Sequence, residues 1–331
     1  MTTTERLMRA AIPDPRTGDI RLLDTRVPTP GPGEVLVHVH AAAMNRADLL
    51  HQRGKYGQRA FTPPDRPNIA GMEMAGRVVE VGATVENAMV GDRVMAMCAG
   101  AYADYVAVPQ EMLLPVPAGT SWPEAAALPM GILTEFEALV TLGGMSAGHC
   151  VLITGATSGV GLIGVQMARA LGAEAVVATT RSPKANPLLH KLGAHAVANT
   201  DWELESLVGD SGVNIVVDHV GGNTVQTCIP FLRKGSSIVS VGRLGGRTAE
   251  IDLAALSSKR GRIVGTTWKS QGLPELADTA AAIQERILPL VEAGRIAAVI
   301  GASITFDELP NGYHRLPEHR SPGKIVVEFE H

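Results

Sequence analysis

The sequence has few aromatic residues, few cysteines and little charge of either sign. Phe, Trp and Tyr together make up 4% of its 331 residues, so its loops carry no readable code for the size or charge of a substrate. Charged residues are 19% and hydrophobic residues 45%. That balance excludes disorder, which needs low hydrophobicity and high charge, and allows a large core in roughly two domains. Lys and Arg number 29 against 33 Asp and Glu, a net charge of −4 with no basic block. Such a chain is a poor match for nucleic acid or an anionic membrane, and neither is expected as a partner. The three cysteines, Cys98, Cys150 and Cys228, are odd in number and far apart. They exclude a disulfide framework and suit a reducing, cytoplasmic setting. None has CxxC spacing, which argues against a cysteine-rich zinc site. The opening MTTTERLMRA has no apolar signal-peptide core, and apolar runs are broken by Gly, Pro or charge. No signal peptide and no transmembrane helix are expected.

What the sequence has in quantity is glycine, 36 residues. In the first third these punctuate strand candidates at 7–12, 20–27, 34–43, 71–85, 91–98 and 101–117. One helix is expected at 44–54, with Asn45 as its N-cap. Ser121 caps the first of two helical pieces in SWPEAAALPMGILTEFEALVTLGG. Strands then alternate with helices: strands at 149–154, 174–180, 195–199, 214–220, 236–242 and 262–268. The helices are expected at 158–172, 182–193 (interrupted by Pro187), 201–209, 223–235 and 274–294. Strands joined by helical crossovers imply βαβ units and a doubly wound parallel sheet. The tail, ending GKIVVEFE, returns to strand and is expected to rejoin the first domain. The expected architecture is an α/β chain. A β-rich domain covers 1–121 and 295–331, and a nucleotide-binding domain covers 122–294.

The sharpest motif is VLITGATSGVGLIGVQMARALGA, with Gly159-x-Gly161-x-x-Gly164 directly after an apolar strand and opening a helix. Glycine at 159 is expected to allow a tight turn, at 161 close approach to a pyrophosphate, and at 164 close helix–strand packing. The helix N-terminus offers N–H groups and the positive end of its dipole to phosphates. Thr157, Ser158, Gly159, Val160 and Gly161 are therefore candidate cofactor contacts. About 20 residues on, NAD sites usually place an acidic residue for the ribose. Here the second strand ends in Thr180, Arg181 and Ser182, with Lys184 close behind and no carboxylate between Glu174 and Asp201. Arg181, Lys184 and Ser182 suit a 2′-phosphate, which favours NADPH over NADH.

The order of AAAMNRADLLHQRGKYG, GMEMAGRVVEVG, GDRV, ITGATSGVGLIGVQMARALGA, DHVGG and HRSPGKIVVEF resembles the medium-chain dehydrogenase/reductase superfamily. Within it the chain is similar to the zinc-independent quinone oxidoreductases, over nearly its whole length. The resemblance implies a GroES-like β-rich catalytic domain plus a Rossmann domain, commonly as a homodimer. It also implies NADPH reduction of a small-molecule quinone or enone. Zinc-dependent members carry a metal-binding Cys where this chain has Asn45, and a GHE motif where it has Gly71-Met72-Glu73. No metal is therefore expected, and without a Lewis acid alcohol oxidation is disfavoured while conjugated acceptors remain accessible.

By resemblance, Asn45 lies near the nicotinamide and holds the ring or a ribose. Asp48 follows three residues on and either orients Asn45 or belongs to a charge network. Tyr56 matches a family position and either faces the cleft or covers a loop. Asn45, Asp48 and Tyr56 are the catalytic candidates, with the product proton coming from water or Tyr56. Thr134 matches a small hydroxyl residue near the nicotinamide, or bonds its own helix backbone. Gly242 and Arg243 follow the fifth Rossmann strand at the ligand-binding edge. Lys324 resembles a cofactor-contacting lysine, or is a solvated strand start. Asn199-Thr200 stands where relatives often place a tyrosine. His38 and His40 share a strand face without a nearby third ligand, which disfavours a metal pair. His219 follows Asp218 at a strand end and can line the cleft. The apolar strand at 262–268 is expected to pair with a second copy. Two other readings stay open: an enoyl or enal reductase acting on a biosynthetic intermediate, and an NADPH-binding protein without turnover.

Overall fold

The computed structural model describes residues 6–14, 16–52, 66–268, 271–316 and 321–330. Along the chain, a hairpin of β1 (Leu7–Pro13) and β2 (Ile20–Arg26) precedes the long strand β3 (Glu34–Met44) and helix α1 (Arg46–Gln52). Strands β4 (Glu73–Val81), β5 (Arg93–Met97), β6 (Tyr105–Pro109) and β7 (Leu113–Pro115) follow. Helices α2 (Trp122–Ala126) and α3 (Pro129–Phe136) come next. Ser121 caps α2 as expected, in a reciprocal box with Glu124. The apolar stretch Trp122–Leu142 is long enough to cross a membrane, yet 83% of its most apolar window is buried inside the protein.

Regular alternation then sets in: β8 (Cys150–Thr154), α4 (Gly159–Ala170), β9 (Ala175–Thr179), α5 (Asn186–Lys191), β10 (Ala196–Ala198), α6 (Asp201–Val208) and β11 (Val213–Asp218). It continues through α7 (Thr224–Cys228), β12 (Leu232–Ser240), α8 (Leu253–Ser258) and β13 (Arg262–Gly265). Helices α9 (Leu273–Arg286) and α10 (Leu288–Glu292), strand β14 (Ile300–Thr305), helix α11 (Leu309–Arg315) and strand β15 (Lys324–Glu328) complete the chain.

Two compact units result. One comprises Met1–Met130, Lys269–Leu288 and Ala298–His331; the other comprises Gly131–Trp268 and Pro289–Ala297. In the first, a seven-stranded sheet runs β14-β15-β3-β4-β5-β7, with β6 also pairing β3. The C-terminal β15 lies antiparallel to β3, with Ile325 opposite Met44. In the second, six parallel strands take the order β10-β9-β8-β11-β12-β13. The fold is α/β: a GroES-like β-rich unit and a Rossmann unit. The second sheet's strands read as unbroken apolar runs because helices cover both faces. Leu152, Val177, Val216 and Ile238 meet Leu204, Val208, Val225 and Ile229 in one core cluster.

Four expectations about elements need correction. Pro187 does not interrupt a helix; it sits in the first turn of α5, where its missing N–H costs no hydrogen bond. The helix expected at 223–235 stops by Phe231, and β12 begins at Leu232, where Leu232 pairs with Val213. The helix expected at 274–294 is two, α9 and α10, with Ile287 between them and Pro289 in the first turn of the second. Helix α8 was not expected, and Asp252 caps it through Ala254 and Ala255 N–H.

Candidate functional site

In the Rossmann unit, the strand order reverses between β8 and β11, the crevice where such sheets bind ligands. Their C-terminal residues, Thr154 and Asp218, are register partners. The Thr154 hydroxyl donates to Asp218 Oδ1 at 2.6 Å and accepts from the His219 N–H at 3.1 Å. Asp218 is fully buried and also accepts from the N–H groups of Val220 and Gly221, both at 3.0 Å. A single buried carboxylate thus shapes the turn that leaves β11.

The glycine loop leaves β8 at the same edge. Ser158 caps α4, its hydroxyl accepting from Gly161 N–H at 3.0 Å. As first-turn residues, Gly159 and Val160 have no intrahelical acceptor for their N–H groups. The glycines divide the work differently from the expectation. The left-handed turn residue is Gly155, at φ +58°, and Gly159 is not in that region. Gly161 faces the backbone of Ala156, whose Cα would lie 2.9 Å from an added Cβ, so glycine there permits loop and helix to touch. Gly164 faces no strand: a Cβ would meet the Glu135 carboxylate at 2.5 Å.

Glu135 is a residue the sequence reading did not single out. It is fully buried on α3, and its Oε1 lies 2.7 Å from His219 Nε2, itself 7% exposed as a side chain. The pair is in ion-pair contact without the alignment of a regular hydrogen bond. Its only signal in the sequence is an acidic residue inside the otherwise apolar PMGILTEF. The neighbouring Thr134 is 7% exposed, and its hydroxyl accepts from Trp268 Nε1 at 3.4 Å.

At the end of β9, Thr180 is buried and its hydroxyl accepts from Ser182 N–H at 3.1 Å. Thr157 Oγ1 lies 3.4 Å from Thr180 Oγ1, which brings the glycine loop and the 180–184 turn together. Arg181 and Lys184 are exposed. Ser182 precedes a single 3₁₀ turn, and its side chain makes no cap bond to it. Asn199 donates to Thr180 O and exchanges hydrogen bonds with Asn186, while Thr200 caps α6. Gly242 packs so closely on His219 that a Cβ would lie 1.9 Å from its carbonyl oxygen. Arg243 donates to Thr266 O at 3.4 Å.

The GroES-like unit holds a second cluster. Asn45, 8% exposed, donates from Nδ2 to Glu73 Oε1 at 2.8 Å and to Ala43 O at 3.2 Å. Lys324 is 4% exposed, and its ammonium donates to both Asn45 Oδ1 and Glu73 Oε1 at 2.5 Å. That excludes a solvated strand start. The other oxygen of Glu73 accepts from Met130 N–H at 2.8 Å. Asn45 is therefore not the side-chain cap of α1. The capping contact runs the other way, Asp48 Oδ2 accepting from Asn45 N–H at 2.8 Å. Tyr102 donates its hydroxyl to the same oxygen at 2.8 Å. Asp48 is fully buried, with Oδ1 unpartnered among the described residues, and burial pushes its carboxyl up to about 6 against the two hydrogen bonds, with Glu73 also raising it and Lys324 opposing. Burial and the Asp48 charge push the Tyr102 hydroxyl up as well. Glu73 entered the sequence reading only as part of a replaced motif, and Tyr102 not at all. Tyr56 lies outside the described residues. His38 stacks on Tyr105 and His40 on Trp122, with ring centroids 4.8 and 4.6 Å apart.

Known proteins align with both units. The model of the alcohol dehydrogenase GroES-like domain matches residues 31–118, and that of the zinc-binding dehydrogenases matches 159–283. The spectinabilin polyketide synthase system protein NorB of Streptomyces orinoci is 33% identical over 302 residues, 89% of this chain but 13% of that much longer protein. Acryloyl-coenzyme A reductase of Sulfurisphaera tokodaii is 27% identical over 96% of this chain and 98% of its own length. The quinone oxidoreductase from Thermus thermophilus, solved also as its complex with NADPH, superposes with a TM-score of 0.82 at 29% identity, covering 97% of this chain and 100% of that one. With both family domains in order on the two units that hold these clusters, the chain belongs to the quinone oxidoreductase family of the medium-chain dehydrogenases/reductases, oxidoreductases that use a nicotinamide cofactor.

Proposed function

We propose that this chain is an NADPH-dependent reductase that passes hydride to quinones or other conjugated carbonyl acceptors without zinc. The observation that carries the reading is the Lys324 ammonium. It is buried between Asn45 and Glu73, where zinc-dependent relatives place part of their ligand set. A dication brought to this cluster meets a fixed positive charge instead of a thiolate and an imidazole. Among the described residues, no three His, Cys, Asp or Glu side chains gather to hold a metal ion. The residues present do not fit zinc.

They fit the nicotinamide cofactor. The Ser158-capped start of α4, with the Gly159 and Val160 N–H groups unpaired within the helix, suits a pyrophosphate. Arg181, Lys184 and the Ser182 hydroxyl, which makes no cap bond, suit a ribose 2′-phosphate, and Gly242 and Arg243 lie at the same sheet edge. When bound, NADPH supplies the hydride. Asn45 has committed both amide hydrogens, to Glu73 and Ala43, so toward a bound molecule it acts only as an acceptor, for a ribose hydroxyl or a carboxamide N–H. Thr134 contributes a hydroxyl, and the product anion takes its proton from water or Tyr56. Asp48 acts by fixing the backbone at Asn45. Positioning and exclusion of water, rather than a strong acid or base, then carry the rate.

A second copy is proposed to pair along β13, one of the two edge strands of the six-stranded sheet, where Ile263 is exposed. Sedimentation showing only a monomer at every concentration removes that dimer. The acryloyl-coenzyme A reductase relative favours a second reading, reduction of an activated alkene on the same scaffold. NADPH consumption against benzoquinone, phenanthrenequinone, enones and enals separates the two. Fast quinone turnover supports the first reading, and turnover confined to enones or enals supports the second. NADPH binding without turnover on any acceptor contradicts both.

A further inference from the structure

Glu135 presents an unusual arrangement: a carboxylate buried directly against a helix that is built to bind phosphate. Its two oxygens lie where a Cβ of Gly164 would be, at 2.5 and 2.7 Å from that position, five residues into α4. Negative charge so close to a pyrophosphate site opposes anion binding unless it is compensated. The group that faces it is His219, with Nε2 at 2.7 Å from Oε1. Neither carboxylate oxygen makes an aligned hydrogen bond among the described residues, so the contact with His219 is one of close approach.

Three pieces of the ligand-binding edge meet at this pair. Glu135 follows Thr134, whose hydroxyl is engaged by Trp268. His219 opens the turn shaped by Asp218, and its carbonyl is pressed against Gly242. Gly164 belongs to the phosphate-binding helix itself. We propose that Glu135 and His219 form a positioning pair that sets the register of α4, the Thr134 helix and the 219–222 turn, and so governs NADPH affinity. The inference rests on the reading that this unit binds NADPH. Each acts through the elements it holds.

The geometry supplies its own control. In Gly164→Ala the new methyl strikes the carboxylate. In the double variant Gly164→Ala/Glu135→Ala the methyl enters the space the carboxylate left. NADPH affinity is read from the fluorescence of bound NADPH, and folding from the thermal midpoint, for the parent, both single variants, the double variant and Glu135→Gln. Glu135→Ala and Gly164→Ala are each expected to lower the midpoint and to raise the Kd for NADPH about tenfold. The double variant is expected to regain the midpoint while its Kd stays raised. Glu135→Gln keeps the shape and a polar contact to His219, and is expected to stay within about threefold of the parent. If Glu135→Ala fails to fold, the Gly164→Ala and Glu135→Gln pair still decides the matter through Kd. Unchanged Kd in the folded single variants, or a double variant that regains Kd with its midpoint, overturns the positioning role and leaves the NADPH reading intact. A folded parent that binds neither NADPH nor NADH overturns both.

Discussion

The two units each bury an ionic group, and the groups are built differently. In the GroES-like unit, Lys324, Glu73 and Asn45 form a closed network in which both carboxylate oxygens and both amide hydrogens have partners. In the Rossmann unit, Glu135 lies against His219, and among the described residues neither of its oxygens makes an aligned hydrogen bond. Buried charge is costly, and satisfying every donor and acceptor offsets that cost only when the geometry is complete. The closed network therefore reads as a fixed scaffold that holds Asn45 in one orientation. The open pair reads as a joint between elements.

The largest effect is expected from breaking the closed network. Lys324→Ala leaves Glu73 buried and unpaired, which destabilises by about 3–5 kcal/mol. Its thermal midpoint should fall further than that of Arg181→Ala, where only an exposed charge is lost. Next comes Asp48. Its carboxyl is raised to about 6 from 3.8, so the folded chain holds a proton that the unfolded chain has released between those values. Stability then falls as pH rises from about 4 to 6, by up to about 3 kcal/mol, and levels off above. Denaturant unfolding across that range should show the slope. Asp48→Asn, which keeps an acceptor for Asn45 N–H and Tyr102, should flatten it.

Smaller effects probe the proposed cofactor contacts. Arg181→Glu reverses charge at the proposed 2′-phosphate site and should raise the NADPH KM about tenfold, roughly 1.4 kcal/mol, with little change for NADH. Equal effects on the two cofactors remove Arg181 from that site. Asn45→Ala should lower turnover about fivefold, the effect of roughly 1 kcal/mol of hydrogen bonding. Unchanged kinetics remove Asn45 from the site.

The parallel sheet and its glycine loop were legible because their physics is local. Apolar strands such as VLIT and NIVVD, with a glycine-rich turn between strand and helix, leave few alternatives. The misread elements depended on distant partners. Nothing near Leu232 announces that it will pair with Val213 and end a helix early. Asn45 looked like a cap because its neighbours suggest one, but Glu73 and Lys324, far along the chain, claimed its side chain. Glu135 went unnoticed for the same reason. Its partner is His219, and the room for it is made by Gly164, whose spacing suggested strand packing. Periodicity reports which face is buried; it does not report which buried polar groups find each other.

The central claim is that a fixed ammonium stands where relatives bind zinc, and that hydride transfer proceeds without the metal. The most direct measurement is NADPH oxidation by a quinone before and after exhaustive chelation, with zinc added back and bound metal quantified in the same samples. The account predicts turnover at the same rate in all three states, with no zinc retained. Turnover lost on chelation and restored by stoichiometric zinc would contradict it.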